Sequence, residues 1–368
     1  MKTVNNKISM RQALILYIVA CLSPITRVFP LSAAEFGGRA GWLSPIVVAL
    51  ILFVLLRILA AMFKPKDGTA TLPANLSDVF ELSYGKIISK IILAAYAVWI
   101  GILFPVYIRY FAEQMLSTMF PSANIGFFIV IMMALVLVAT RGKLEWFARF
   151  SELARLFFIA IIAILAICLI PDFEYRNILP VTHLDTKNVF QGAFQMCGVV
   201  GYITLIFFLG DHISDKETLQ KRAKRTAIWV GAIGTLITTV CIATLSFRVV
   251  ERMPMPFFST TKLITVMEPF DRMEAFLLCT WVCSDFIIIT AFAFVLINII
   301  KKLTGSHEAR YFATPIAFYG VVAGMFLTTS RFELEAFSRN EITTTVNIAL
   351  CFGIPLLTLI VGKIRGKL

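Results

Sequence analysis

Two charged side chains lie deep inside apolar stretches of the sequence. Arg27 follows Pro24 in CLSPITRVFPL, and Asp285 lies in CSDFIIITAF. A charge at the centre of a bilayer costs at least about 2.5 kcal/mol on insertion scales, so such residues normally pair or serve a ligand. If the two stretches are neighbouring antiparallel helices, a pair cancels much of the cost of burying either partner alone. We therefore expect Arg27 and Asp285 to lie together.

Three interpretations of this pair are open at the level of sequence. The pair is a structural lock, or the guanidinium occupies the place of a sodium ion. Alternatively, Arg27 holds a ligand carboxylate while Asp285 binds an amine or a proton. Tyr107 and Arg109, with Glu113 one turn beyond, are placed to line an outer vestibule, although Arg109 is close enough to the interface to extend towards it.

Two of the apolar stretches contain helix-breaking residues near their middles. Pro24 removes one main-chain hydrogen bond and clashes with the preceding turn. Gly198 and Gly201, in FQMCGVVGYITLIFF, weaken a helix and allow close backbone approach. Freed backbone groups persist in lipid only where they face protein or water. The sequence therefore predicts that the first and sixth spans are broken opposite each other and offer backbone to a small solute.

A ligand site follows from these expectations. The helix end beyond Pro24, with Thr26 and Arg27, is expected to receive a carboxylate. Carbonyls freed near Cys197–Gly201 are expected to receive an amine, Tyr107 to cover the pocket and Asp285 to tune its charge. The full set of predicted ligand-binding residues is Ser23, Pro24, Thr26, Arg27, Tyr107, Cys197, Gly198, Gly201 and Tyr202, with Arg27 and Asp285 as the charge or ion-coupling pair.

The elements that position these residues are membrane spans. The 368 residues are 59% hydrophobic and 15% charged, with a mean hydropathy of +0.85, which is far from the composition of a soluble domain. We expect one all-α transmembrane domain over residues 1–368, with halves of about 10–171 and 189–362. Each predicted span is near the roughly 20 residues that a bilayer requires. The ten spans are about 10–34, 42–63, 88–114, 122–140, 154–171, 189–210, 226–249, 273–300, 309–328 and 346–362.

The charge distribution predicts orientation and argues against nucleic-acid binding. The net charge is +12, but most Lys and Arg fall at the two termini and in the even-numbered connections. This bias places both termini in the cytoplasm. The connection Leu76–Ile91 is predicted to form an interfacial helix on the inner side, and Phe257–Phe276 a re-entrant or interfacial helix on the outer side.

The sequence contains no motif that favours catalysis or metal binding. All seven cysteines lie in apolar runs and are interpreted as packing residues. Cys279 and Cys283 are one turn apart, but a metal site there is disfavoured. No Ser/His/Asp order, phosphate loop or HExxH motif is present, so we predict no enzyme, no metal and no cofactor.

The segment DRMEAFLLCTWVCSDFIII (Asp271–Ile289) resembles the eighth-span signature of the spore germination permeases, the B subunits of nutrient germinant receptors. Weaker matches follow in the expected order along nearly the whole chain. They are ISMRQALILYI, LSDVFELSYGKIISKI, RFSELARLFF and NILPV.

The resemblance implies a LeuT-like fold of the amino acid/polyamine/organocation superfamily, with two inverted five-helix halves. It implies the inner membrane of a bacterial spore, A-type and C-type receptor subunits as partners, and recognition of a small-molecule germinant such as an amino acid. The chain departs from the family at Ser23–Arg27, where relatives often carry a glycine-containing break. The alternative function is a proton-coupled amino-acid transporter acting alone.

Overall fold

The chain is helical in almost every part that the computed structural model describes, namely residues 7–63, 73–264, 274–306, 308–327, 331–339 and 341–368. The α-helices are α1 (Met10–Gly37), α2 (Ser44–Met62), α3 (Leu76–Tyr84), α4 (Lys86–Thr118), α5 (Ile125–Arg141), α6 (Leu144–Cys168), α7 (Tyr175–Ile178), α8 (Thr186–Val200), α9 (Ile203–Ile206), α10 (Leu219–Leu245), α11 (Phe247–Val250), α12 (Pro256–Thr261), α13 (Glu274–Thr304), α14 (Arg310–Phe326), α15 (Arg331–Arg339), α16 (Glu341–Ile348) and α17 (Ile354–Ile364). A π-helical turn, Ala349–Gly353, joins α16 to α17.

The all-helical membrane architecture predicted from composition is confirmed. Seven helical stretches of the described residues are long and apolar enough to cross a membrane, and the first of them, Met10–Met62, contains both α1 and α2. A helix also overlaps each of the ten predicted segments. The count of ten spans and the pairing of two inverted halves stay predictions.

The break predicted in the first span is wrong. The helix α1 continues through Pro24 to Gly37. The Ser284 hydroxyl of α13 donates to the Val19 carbonyl (2.7 Å) and accepts from the Ser23 amide (2.8 Å). This inserted hydroxyl replaces the main-chain bond from Ser23 to Val19, so the helix passes the proline without unwinding.

The interruption predicted in the sixth span is confirmed. The helix α8 ends at Val200, Gly201 and Tyr202 form a turn, and α9 begins at Ile203. Gly201 lies against the π-helical turn, because a Cβ atom there would be 2.7 Å from Cys351 Cβ and 2.8 Å from Phe352 Cε2. Two irregular helix segments thus pack directly against each other.

The first interfacial helix is shorter than predicted. Asn75 caps α3 by accepting from the Asp78 amide at 3.0 Å. The helix ends at Gly85, whose φ of 85° suits glycine, and α4 starts at the next residue. In the second predicted interfacial segment the structure shows α12, whereas residues 265–273 lie outside the described residues.

Contacts close the side of the bundle on which α1 begins, which we call the starting side. Ile8 pairs with the backbone beyond the sixth span, donating to His212 O at 2.8 Å and accepting from the Ser214 amide at 3.0 Å. Asp215 accepts from the Met10 amide at the first turn of α1. On the same side, the Lys302 ammonium lies 2.8 Å from an Asp78 carboxylate oxygen.

Candidate functional site

A cavity of about 120 Å³ lies between α1, α4, α8, α15 and α16, away from the starting side. A single buried water needs only about 10–15 Å³ by the same kind of measure, so the space admits a small solute. Its principal lining residues are Pro24, Arg27, Val28, Ser32, Glu35, Phe36, Tyr107, Tyr110, Glu113, Gln195, Gly198, Tyr202, Glu335, Phe337, Thr343, Thr344 and Asn347.

Arg27 forms one wall of this cavity and makes the expected contact with Asp285. The distance from Arg27 Nη2 to Asp285 Oδ1 is 3.4 Å, and the Asp285 side chain is fully buried. Arg27 Nη1 donates to Gln114 Oε1 at 3.3 Å, and the guanidinium lies 4.9 Å from the centre of the Tyr110 ring. The guanidinium is therefore held by several long contacts rather than by one short ion pair.

The polar groups around Arg27 are incompletely satisfied. Asp285 Oδ2, Gln114 Nε2 and Ser23 Oγ are buried and have no hydrogen-bond partner among the described residues. Burying a polar group without a partner costs free energy, and a charged group costs most. A change in the charge of one of these groups, or in its hydrogen-bond partner, therefore costs less free energy here than in a fully hydrogen-bonded cluster.

The structure divides the predicted ligand-binding and ion-coupling residues into two groups. Pro24, Arg27, Tyr107, Gly198 and Tyr202 line the cavity, whereas Ser23, Thr26, Cys197, Gly201 and Asp285 do not. Thr26 faces α13 instead: its hydroxyl donates to Ser23 O at 2.7 Å and accepts from Trp281 Nε1 at 2.7 Å. The Tyr107 hydroxyl lies 3.3 Å from that of Tyr202, so the two rings meet beside the cavity.

Several main-chain carbonyls near the sixth-span interruption already accept hydrogen bonds, and the amine site expected there stays a prediction. Tyr17 donates its hydroxyl proton to Val200 O at 2.8 Å. Cys197 O accepts from the Gly201 amide at 3.0 Å, and Gly201 O accepts from the Thr204 amide at 3.0 Å. The chain turns tightly enough at Gly201 that local bonds replace those lost from the helix.

A polar wall from α8 and α16 was not found from the sequence. Thr344 donates to Gln195 Oε1 at 2.8 Å, and Asn347 Oδ1 accepts from Trp99 Nε1 at 2.7 Å. Asn347 Nδ2 also donates to the Tyr202 hydroxyl at 3.4 Å. The hydroxyl-rich run ITTTVN (342–347) at the start of the last apolar segment was the available signal.

Three carboxylates also line the cavity, namely Glu35, Glu113 and Glu335. Glu113 pairs with Arg109 at 2.8 Å, and Arg109 is 6% exposed and also donates to Met325 O. The expectation that Arg109 extends to the interface is therefore wrong, because Glu113 one turn away satisfies it in the interior. The described residues contain no group of three or more side chains suited to holding a metal ion.

These features are typical of a solute-binding site. The cavity combines one guanidinium, three carboxylates, two amide side chains and several aromatic rings. Ligand pockets are usually concave and partly apolar, with a few polar groups that fix orientation.

Comparison with solved structures places the fold among membrane transporters. A nucleobase-cation-symport-1 family transporter, MHP1, in a closed conformation with bromovinylhydantoin bound, matches with a TM-score of 0.63 and 11% identity over 98% of this chain and 80% of that chain. MhsT in complex with L-phenylalanine matches with a TM-score of 0.62 and 11% identity, over 98% of this chain and 99% of that chain. At this identity the likeness shows the fold alone.

A search of the curated proteins found no match. The family model described as "spore germination protein" matches residues 7–333, which is nearly the whole chain and includes the Trp281 segment. Since the match covers most of the chain, this chain belongs to the spore germination permease family.

Proposed function

We propose that this protein is the nutrient-sensing membrane subunit of a spore germination receptor, and that it binds a small solute in the cavity beside Arg27. Family membership supports the role in germination, and the transporter fold supports binding of a solute between helices. The observation that carries the proposal is the buried guanidinium on the cavity wall, because such a group recognises a carboxylate.

The proposed ligand is an amino acid or a similar solute. Its carboxylate binds Arg27, and its remaining polar groups face Gln195 and Asn347. An ammonium group, if present, is received by a cavity carboxylate rather than by main-chain carbonyls, because those near Gly201 already have partners. The solved relative of the same fold, MhsT, holds L-phenylalanine, which supports an amino acid as the first probe.

Ligand binding signals by shifting a transporter-like equilibrium between two conformations. Such a shift is limited by the difference in affinity between the two states. The interrupted sixth span is suited to carry the change, since Tyr202 of its turn lines the cavity and Gly201 contacts the turn between α16 and α17.

A ligand screen tests the proposal directly. Purified protein is assayed by thermal shift against amino acids, sugars and nucleosides, and then with Arg27→Ala. We expect Arg27→Ala to lose at least about tenfold in affinity for a carboxylate ligand, since a charge-assisted bond contributes about 1.5–3 kcal/mol. Arg57→Ala is the matched control, because Arg57 is exposed on α2 and does not line the cavity. Unchanged affinity in Arg27→Ala would contradict this role.

A proton-coupled amino-acid transporter acting alone is the alternative, and the transporter fold favours it. Its test is accumulation of labelled amino acid in proteoliposomes. Uptake that collapses in Asp285→Asn supports the transporter; binding without uptake supports the sensor.

We also propose A-type and C-type receptor subunits as partners, with the protein in the inner membrane of the spore and both termini in the cytoplasm. Lys and Arg concentrate on the starting side, which supports this orientation. Co-purification of an A-type and a C-type subunit with the tagged protein from spore membranes tests the partners. Recovery of this chain without them would favour the transporter.

A further inference from the structure

The contact between Arg27 and Asp285 is loose for a buried ion pair. A charge-assisted N–H···O bond is normally about 2.7–2.9 Å long, whereas this contact is 3.4 Å. The second carboxylate oxygen, Oδ2, has no partner among the described residues. Asp285 is therefore poorly compensated as an anion, and Arg27 is the group that compensates it most.

Arg27 has access to the cavity, but Asp285 does not. A ligand carboxylate in the cavity competes with Asp285 for the same guanidinium. If the ligand carboxylate replaces Asp285 at Arg27, the fully buried Asp285 carboxylate loses its counter-charge. This is strongly unfavourable unless Asp285 is neutralised.

We propose that Asp285 is a proton-binding site linked to ligand binding: a ligand carboxylate takes Arg27, and Asp285 takes up one proton. This inference rests on the proposed function. The proton comes from solvent, binds Asp285 Oδ2 and converts that oxygen from an acceptor into a donor. The Ser23 hydroxyl lies beside Asp285 and has no other hydrogen-bond partner among the described residues, so it is the available acceptor.

The surroundings of Asp285 distinguish it from the other carboxylates near the cavity as the group that binds the proton. Arg27 of α1 is the charged group that acts on it. The neighbouring helix α4 contributes Gln114 and the Tyr110 ring, both of which contact Arg27. Glu35, Glu113 and Glu335 line the cavity instead, so a variant at position 285 leaves them unchanged and tests Asp285 alone.

The first experiment needs no ligand. In Arg27→Gln, Asp285 loses its counter-charge as it does when a ligand binds. Infrared difference spectra between Arg27→Gln and the double variant Arg27→Gln/Asp285→Asn, in nanodiscs at neutral pH, should show one deuterium-sensitive band of a protonated carboxyl. Absence of that band overturns the proposal, and so does an Arg27→Gln protein that fails to fold while the double variant folds.

The second experiment uses L-phenylalanine, with L-phenylalaninamide as the matched probe that lacks a carboxylate. Wild-type affinity for L-phenylalanine should rise roughly tenfold for each unit by which pH falls, over the range where Asp285 is charged without ligand and protonated with it. Asp285→Asn should remove this dependence. Binding that requires Arg27 but is independent of pH overturns the proton site. If L-phenylalanine does not bind at all, it is not the ligand, and the infrared result still decides the proton site.

Discussion

Gly198 and Gly201 lie one turn apart in the sixth span but have different surroundings. A Cβ atom at Gly198 would be 3.6 Å from Thr344 Cγ2, an ordinary contact, and would project towards the cavity. At Gly201 it would be 2.7 Å from Cys351 Cβ, which is closer than real Cβ atoms approach. The first glycine therefore shapes the site, and the second permits helix packing.

We predict that Gly201→Ala lowers the free energy of unfolding by about 1–3 kcal/mol, as overpacking does in close-packed interiors. Gly198→Ala, the matched control, should change it by less than about 0.5 kcal/mol. Thermal unfolding in detergent checks both. An equal change in the free energy of unfolding in the two variants would contradict the contact between Gly201 and Cys351.

Residue types alone predicted some of the site. Arg27 and Asp285 were found because a charge in an apolar stretch is costly and needs a partner. Glu35 and Asn347 were missed because a polar residue near a helix end is common and carries no such cost. The direction of Thr26 could not be predicted either, since it depends on Trp281, which is distant in sequence.

At the scale of elements, α13 holds α1 at its proline. Trp281, Ser284 and Asp285 lie on adjacent turns of α13 and contact Thr26, the Val19–Ser23 backbone and Arg27 respectively. Pro24 explained why a helix would break, but the inserted hydroxyl that prevents the break comes from another helix. This is why the interruption in the sixth span was predictable and the continuity of the first was not.

Ser284→Ala should lower the free energy of unfolding by about 1–3 kcal/mol, because it leaves a buried amide and a buried carbonyl without their bridge. Ser284→Thr, which keeps the hydroxyl, should recover most of this loss. Thr290→Val on the same helix is the matched control, since the Thr290 hydroxyl is buried without a partner. A loss of stability in Thr290→Val as large as in Ser284→Ala would show that the Ser284 bridge contributes little.

For the whole molecule, the closed starting side and the cavity away from it define one conformation. The closure uses Ile8, Asp215 and Lys302, and the cavity is bounded by the later half of α1. Composition predicted the membrane class, and the resemblance implied the fold. The side on which the cavity lies follows from tertiary contacts, which a single sequence does not contain.

We predict that Val28→Cys, on the cavity wall, reacts with a membrane-impermeant thiol reagent added from the cavity side. Val19→Cys, buried on the same helix nearer the starting side, should react from neither side. Both variants are made with the native cysteines replaced, since Cys279 is exposed. Labelling of Val19→Cys from the starting side would contradict the closure described above.

The pairing of Ile8 with the backbone beyond the sixth span has a measurable dynamic consequence. Ile8 donates its amide to His212, and the Ser214 amide donates to Ile8. Neither of these two amide protons can exchange with deuterated solvent until the pairing separates. If the starting side opens as one event, the Ile8 and Ser214 amides should have equal protection factors, that is, the same ratio of the exchange rate in an unfolded chain to the observed rate. A solute held in the cavity should raise or lower both protection factors together.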